Sequence, residues 1–91
     1  MSTQPTVSVL MPVRNAQAYI ALSVSSLLRQ TLDDFELLVI NDGSTDETLG
    51  VLASIADRRI RVLGDDQQRG ISFRLNEGLG LANGLFIARM D

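Results

Sequence analysis

"FELLVI" (residues 35–40) runs directly into "NDGSTD" (residues 41–46), and the reading of that junction decides the fold. The first six residues are nearly continuous apolar, as expected of a strand covered on both faces, which points to a parallel sheet. The next six change character at once. A strand leaves the core through Asn41, Asp42 and Gly43, and Ser44, Thr45 and Asp46 then announce a helix. Ser44 and Glu47 have the spacing of a capping box, and Leu49, Leu52, Ala53 and Ala56 form an apolar stripe behind them.

Working outward, "VSVLMPV" (residues 7–13), "IRVL" (residues 60–63) and "LFIARM" (residues 85–90) read as three further strands. Ile20, Val24, Leu27 and Leu28 share one helical face, with Asn15 placed to cap it. A third helix starts near Ile71, carries Leu75, Leu79 and Ala82 on one side, and stops at Asn83 and Gly84. The order β-α-β-α-β-α-β predicts an α/β protein with a Rossmann-like parallel sheet of four strands flanked by three helices. Its crossovers should be right-handed.

Composition narrows the chemistry. At 91 residues the chain is one small domain, with 45% hydrophobic residues to build a core. It has no Cys and no His, so disulfides, thiolate metal sites and imidazole bases are excluded. Any metal must be held by oxygen, which favours magnesium, manganese or calcium. The net charge of −3, without a basic stripe, argues against nucleic acid. The first residues lack the pattern of a signal peptide, and no apolar run reaches the length of a membrane span, so a cytoplasmic location is expected.

Open α/β sheets bind ligands at the carboxyl ends of their strands. "PVRN", "NDGSTD", "GDDQQRG" and Asp91 all fall on that edge. No GxGxxG follows the first strand and no GK[ST] is present, which removes dinucleotide and P-loop readings. A haloacid-dehalogenase-like phosphatase would need its nucleophile where Ile40 stands. As a βα turn, "NDGSTD" needs only Gly43 for its backbone, Ser44 as cap and Asp46 at the positive helix end. Asp42 is left over, and a carboxylate there can accept a pyrimidine ring N–H or a ribose hydroxyl. It is expected to be solvent-accessible beside Pro12, Val13 and the loop near Arg69. Pro12 stiffens the exit of the first strand, Arg69 could pair with a diphosphate, and Arg14 could equally be a solvated surface charge.

Together, "VSVLMPVRNAQAYIALSVSSLLRQTLDDFELLVINDGSTDETLGVL" and "DRRIRVL…RGISFRLNEGLGLANGLFIARMD" resemble the start of family 2 glycosyltransferases, over nearly the whole chain after the first five residues. The resemblance implies a partial glycosyltransferase-A fold with strand order 3-2-1-4. It implies that residues 1–91 are a single N-terminal nucleotide-sugar-binding subdomain without the C-terminal half, truncated at the DxD motif. By the same resemblance Pro12, Val13, Asn15 and Asp42 border the nucleotide, with Arg69 added as a diphosphate contact. Asp91 matches the first DxD carboxylate, which binds the sugar nucleotide through a divalent metal, Mg or Mn. Asn41, Arg14 and Phe86 stand where the family often has Asp, Tyr and Tyr.

The implied reaction moves a sugar from a nucleoside diphosphate sugar (UDP- or dTDP-type) to an acceptor hydroxyl with inversion. The 91-residue chain alone is expected to be inactive and to bind metal weakly or not at all. The alternative is a non-catalytic nucleotide-binding or assembly module. Residues 85–90, apolar and on an edge, predict a homo-oligomer.

Overall fold

The computed structural model describes residues 4–30 and 34–90. Seven elements alternate in chain order: β1 (Val7–Val13), α1 (Ile20–Leu28), β2 (Phe35–Asp42), α2 (Thr48–Ala53), β3 (Ile60–Asp65), α3 (Ile71–Leu81) and β4 (Phe86–Arg89). The strands form one sheet in the order β3-β2-β1-β4, with every pairing parallel. The expected α/β architecture and strand order are therefore what the chain adopts.

Alternation along the strands sorts side chains onto two faces. Val9, Met11, Val13, Leu37 and Val39 pack with Ile20 and Val24 of α1 and Leu52 of α2. Leu10, Leu38 and Ile40 point the other way and pack with Leu75 and Ala82 beside α3. Helices thus cover both faces, and all eight residues of β2 are buried. The apolar run that predicted a doubly covered strand reflects that central position.

Several local readings need correction. β2 and β3 run two residues further than their apolar runs, because Asn41 and Asp42 pair in register with Gly64 and Asp65. β4 is shorter than residues 85–90 by one residue at each end. Asn15 does not cap α1, which begins after Tyr19 without a side-chain cap. Neither does Ser44 head a capping box, since α2 starts at Thr48. Leu49 and Leu79 are about half exposed, and Val51 and Ile55 fill the α2 interface that Leu49 was expected to share. Ala56 lies beyond the end of α2. α3 ends in an extended Ala82 rather than in a left-handed glycine cap.

Candidate functional site

The carboxyl edge of the sheet is assembled by bonds between loops distant in sequence. Asn15 adopts a left-handed backbone (φ 51°). Its N–H donates to Ser44 Oγ at 3.0 Å, and its Oδ1 accepts from the Thr45 N–H at 2.7 Å. Gln17 N–H donates to Asp46 Oδ2, and the Gln17 amide oxygen accepts from Glu47 N–H. The buried Ala16 N–H donates to Thr48 Oγ1 at 2.8 Å. Asp46, not Ser44, satisfies the first turn of α2, accepting from the Thr48 N–H at 2.9 Å. The hydrogen bond from Thr48 is the main cause holding the Asp46 carboxyl below its ordinary pKa. The Ser-Thr-Asp row is therefore a fastening between the β1–α1 and β2–α2 loops.

The residues before it are positioned with equal care. Asn41 is buried, donating from Nδ2 to the Asp65 carbonyl and accepting at Oδ1 from Ser44 N–H. Gly43 follows with φ 67°, and a Cβ there would lie 2.8 Å from the backbone of Gln67 and Gln68. Only glycine combines that left-handed turn with so close an approach of another loop.

Asp42 carries the electrostatics of the edge. Oδ1 accepts from Arg69 N–H at 2.7 Å and from Arg74 Nε at 2.9 Å, while Gly70 N–H is shared between Oδ1 at 3.3 Å and Oδ2 at 3.1 Å. Burial pushes the Asp42 carboxyl up, but the Arg69 amide, Arg74 and the Gly70 amide outweigh it and hold the pKa below its ordinary value. Arg74 is itself fully buried, and it also binds Asp65 Oδ1 at 2.7 Å, Glu77 Oε1 at 3.0 Å and the Gln67 carbonyl. Against the cost of burial, its carboxylate partners raise its pKa, so it stays charged.

Asp42 is thus 8% exposed and ion-paired, and the expectation of an accessible carboxylate fails. The reason is Arg74, whose buried charge requires a partner on this sheet edge. Asp42 nevertheless lines a cavity of about 130 Å³ together with Pro12, Val13, Arg14 and Ile71. Of the six residues expected at the site, Pro12, Val13 and Asp42 share this cavity. Asn15 sits in the adjoining loop and pins Ser44 and Thr45. Arg69 contributes its amide to Asp42, whereas its guanidinium lies over the Phe73 ring (5.1 Å) and 3.8 Å from Asp65. Asp91 lies outside the described residues.

Among the described residues, no three carboxylates cluster to hold a metal ion. Asp42, Asp65 and Glu77 all already bind Arg74, whose guanidinium supplies the positive charge among them. The described residues do not by themselves fit a cation.

An open parallel sheet with helices on both faces, and a cavity at its strand ends lined by apolar residues around one ion-paired carboxylate, defines the class: a Rossmann-like α/β protein with a candidate ligand site. The chain belongs to glycosyl transferase family 2, whose profile matches residues 8–91. It is 44% identical, over its full length, to an uncharacterized glycosyltransferase of Haemophilus influenzae, of which it covers 29%. It is 40% identical, over 93% of its length, to the UDP-Glc:alpha-D-GlcNAc-diphosphoundecaprenol beta-1,3-glucosyltransferase WfgD of Escherichia coli, covering 34% of that protein. Its backbone matches the mannosyltransferase of Pyrobaculum calidifontis in complex with GDP-Man and Mn2+, with a TM-score of 0.77. That match spans 89% of this chain and 25% of the other, at 24% identity, a likeness of fold alone. The chain therefore spans about a quarter to a third of the length of these proteins.

Proposed function

We propose that residues 1–91 form the N-terminal, donor-binding subdomain of an inverting glycosyltransferase. The full reaction transfers a sugar from a nucleoside diphosphate sugar of the UDP or dTDP type to an acceptor hydroxyl. The observation that carries this reading is Asp42: a buried carboxylate, held ionised by Arg74 and two amides, lining a cavity bounded by Pro12 and Val13. A fixed negative acceptor beside a strand exit suits a ring N–H of the base. Pro12 and Val13 give that ring an apolar border, and Asn15 keeps the neighbouring loop in place. Arg69 would have to leave Phe73 to reach a diphosphate.

By resemblance, Asp91 is a ligand of a divalent metal, Mg or Mn, in the whole enzyme, where such an ion would offset charge on the departing diphosphate. The reading also includes a cytoplasmic location; no helix among the described residues is long and apolar enough to cross a membrane. The 91-residue chain, about a third or less of the relatives' length, should bind donor without turning it over.

The test is nuclear magnetic resonance titration of the chain with UDP and with UDP-glucose, with and without Mn2+ or Mg2+. Shifts confined to Pro12–Asn15, Asp42–Gly43 and Arg69–Ile71 support the reading. Shifts elsewhere, or release of sugar from UDP-glucose by the pure chain, would contradict it.

A further inference from the structure

The link between α3 and β4 holds a reactive arrangement that donor binding does not use. Asn83-Gly84 is the only Asn-Gly pair in the chain. An Asn side chain is open to attack by the next backbone nitrogen, most of all when that residue is glycine and no side chain impedes ring closure. The fold obliges glycine here, since a Cβ on Gly84 would lie 2.5 Å from the Ser8 nitrogen. One carboxylate stands at both ends of such a reaction. The Gly84 N–H donates to Ser8 Oγ at 2.7 Å, and Ser8 Oγ donates in turn to Glu36 Oε2. The Asn83 side-chain nitrogen lies 3.5 Å from Glu36 Oε1, and the Asn83 N–H holds Oε2 at 2.6 Å. Ser8 is fully buried and Glu36 nearly so, whereas Asn83 is exposed to water. Burial raises the Glu36 pKa, but Ser8, the Asn83 amide and Arg61 lower it more, so the carboxylate is ionised and able to accept a proton.

We propose that Asn83-Gly84 is a self-modification site, at which Ser8 and Glu36 relay protons for deamidation through a cyclic imide. The Gly84 nitrogen bonds to Asn83 Cγ as its proton passes to Ser8 Oγ and the Ser8 proton passes to Glu36. The tetrahedral carbon then expels the side-chain nitrogen, which takes that proton from Glu36 and departs as ammonia. Water opens the imide at either carbonyl, leaving aspartate or isoaspartate at position 83. Ser8 and Glu36 return to their starting states, so the balance is one water consumed and one ammonia released. Either product sets a second carboxylate beside Glu36, where like charges repel. Isoaspartate also lengthens the backbone by one carbon immediately before β4, the strand that leads to Asp91. Modification therefore loosens β4 from β1.

The test is ageing of the 91-residue chain at neutral pH. Mass spectrometry of the peptide carrying residue 83 reads the conversion, and chromatography separates its aspartyl and isoaspartyl forms. The folded chain should convert about tenfold faster than the same chain in guanidinium chloride, where the relay is absent. Ser8→Ala should slow the folded chain by about tenfold or more and leave the rate in denaturant unchanged. Amides of β4 should exchange faster in the aged chain than in the fresh one. Conversion in the folded chain no faster than in denaturant would overturn the proposal, since the fold would then not promote the reaction. An unchanged rate in folded Ser8→Ala would also overturn it, by showing that the proton leaves Gly84 along another path. If Ser8→Ala fails to fold, as its amide spectrum would show, the unmodified chain in buffer and in denaturant decides alone.

Discussion

At the scale of single residues, the organising group is Arg74. It is fully buried and bridges three elements through Asp42, Asp65 and Glu77. Arg74→Met should cost about 3–5 kcal/mol in chemical denaturation, because it leaves the Asp42 carboxylate buried without its cation. Glu77→Gln removes a partly exposed partner and should cost less than about 1 kcal/mol. Acid separates the two further. Asp42 and Asp65 hold pKa values below the ordinary range, so their contribution is complete above about pH 5 and lost as pH falls through the ordinary and then the depressed values. Arg74 stays protonated throughout that window. Stability of the unmodified chain should therefore fall more steeply between about pH 5 and 2 than that of Arg74→Met. Asp42 stood out in the sequence because the βα turn leaves its carboxylate without a role, but its burial in an ion pair did not show there. Arg74 was not, since a helical stripe through Leu75 and Leu79 leaves it looking solvated. Its partner Asp42 is 32 residues away. The neighbouring Gly78, buried against Ile40 and Leu10, was the signal that this side of α3 faces inward.

At the scale of elements, α3 is strapped to the sheet at both ends. Arg74 fastens its first turns to β2 and β3. At the other end the buried Glu36 accepts from Asn83 N–H at 2.6 Å, Ser8 Oγ and Arg61, and Arg61 also donates to the Leu81 carbonyl. Burial raises the Glu36 pKa, but Ser8, the Asn83 amide and Arg61 lower it more. The strap delivers the chain into β4 through Gly84, whose N–H donates to Ser8 Oγ at 2.7 Å. A Cβ on Gly84 would sit 2.5 Å from the Ser8 nitrogen. Gly84→Ala should thus cost about 1–3 kcal/mol. Its mark should be faster hydrogen exchange in β4 than in β2, because the displaced contact lies where β4 joins β1. The sequence showed a helix ending near Asn83-Gly84, and periodicity found all seven elements. What it could not show is that the glycine serves a close backbone approach rather than a left-handed cap. That requirement comes from Ser8 on the neighbouring strand β1, 76 residues away.

At the scale of the whole molecule, the sheet is asymmetric. β2 is buried along its entire length, whereas all four residues of β4 are exposed. Leu85 and Phe86 are each 65% exposed and Ile87 46%, and among the described residues β4 pairs with β1 alone. The strand order that places β4 at the edge followed from the family resemblance. The apolar character of "LFIARM" suggested a strand needing cover; Met90 packs against the core, but among the described residues nothing covers Leu85, Phe86 and Ile87. An exposed apolar edge strand is a template for another strand. A domain of this size has little surplus core, so mass action through a second copy would add stability that one chain lacks. The 91-residue chain is therefore expected to self-associate through residues 85–90. Sedimentation over a range of concentrations should show a mass that rises with concentration, accompanied by a rising unfolding temperature. Phe86→Lys combined with Ile87→Lys changes positions already facing solvent, so it should leave the fold intact while abolishing the concentration dependence. A single monomeric species across the range, with β4 amides as protected from exchange as those of β1, would mean that the edge is closed by the chain itself.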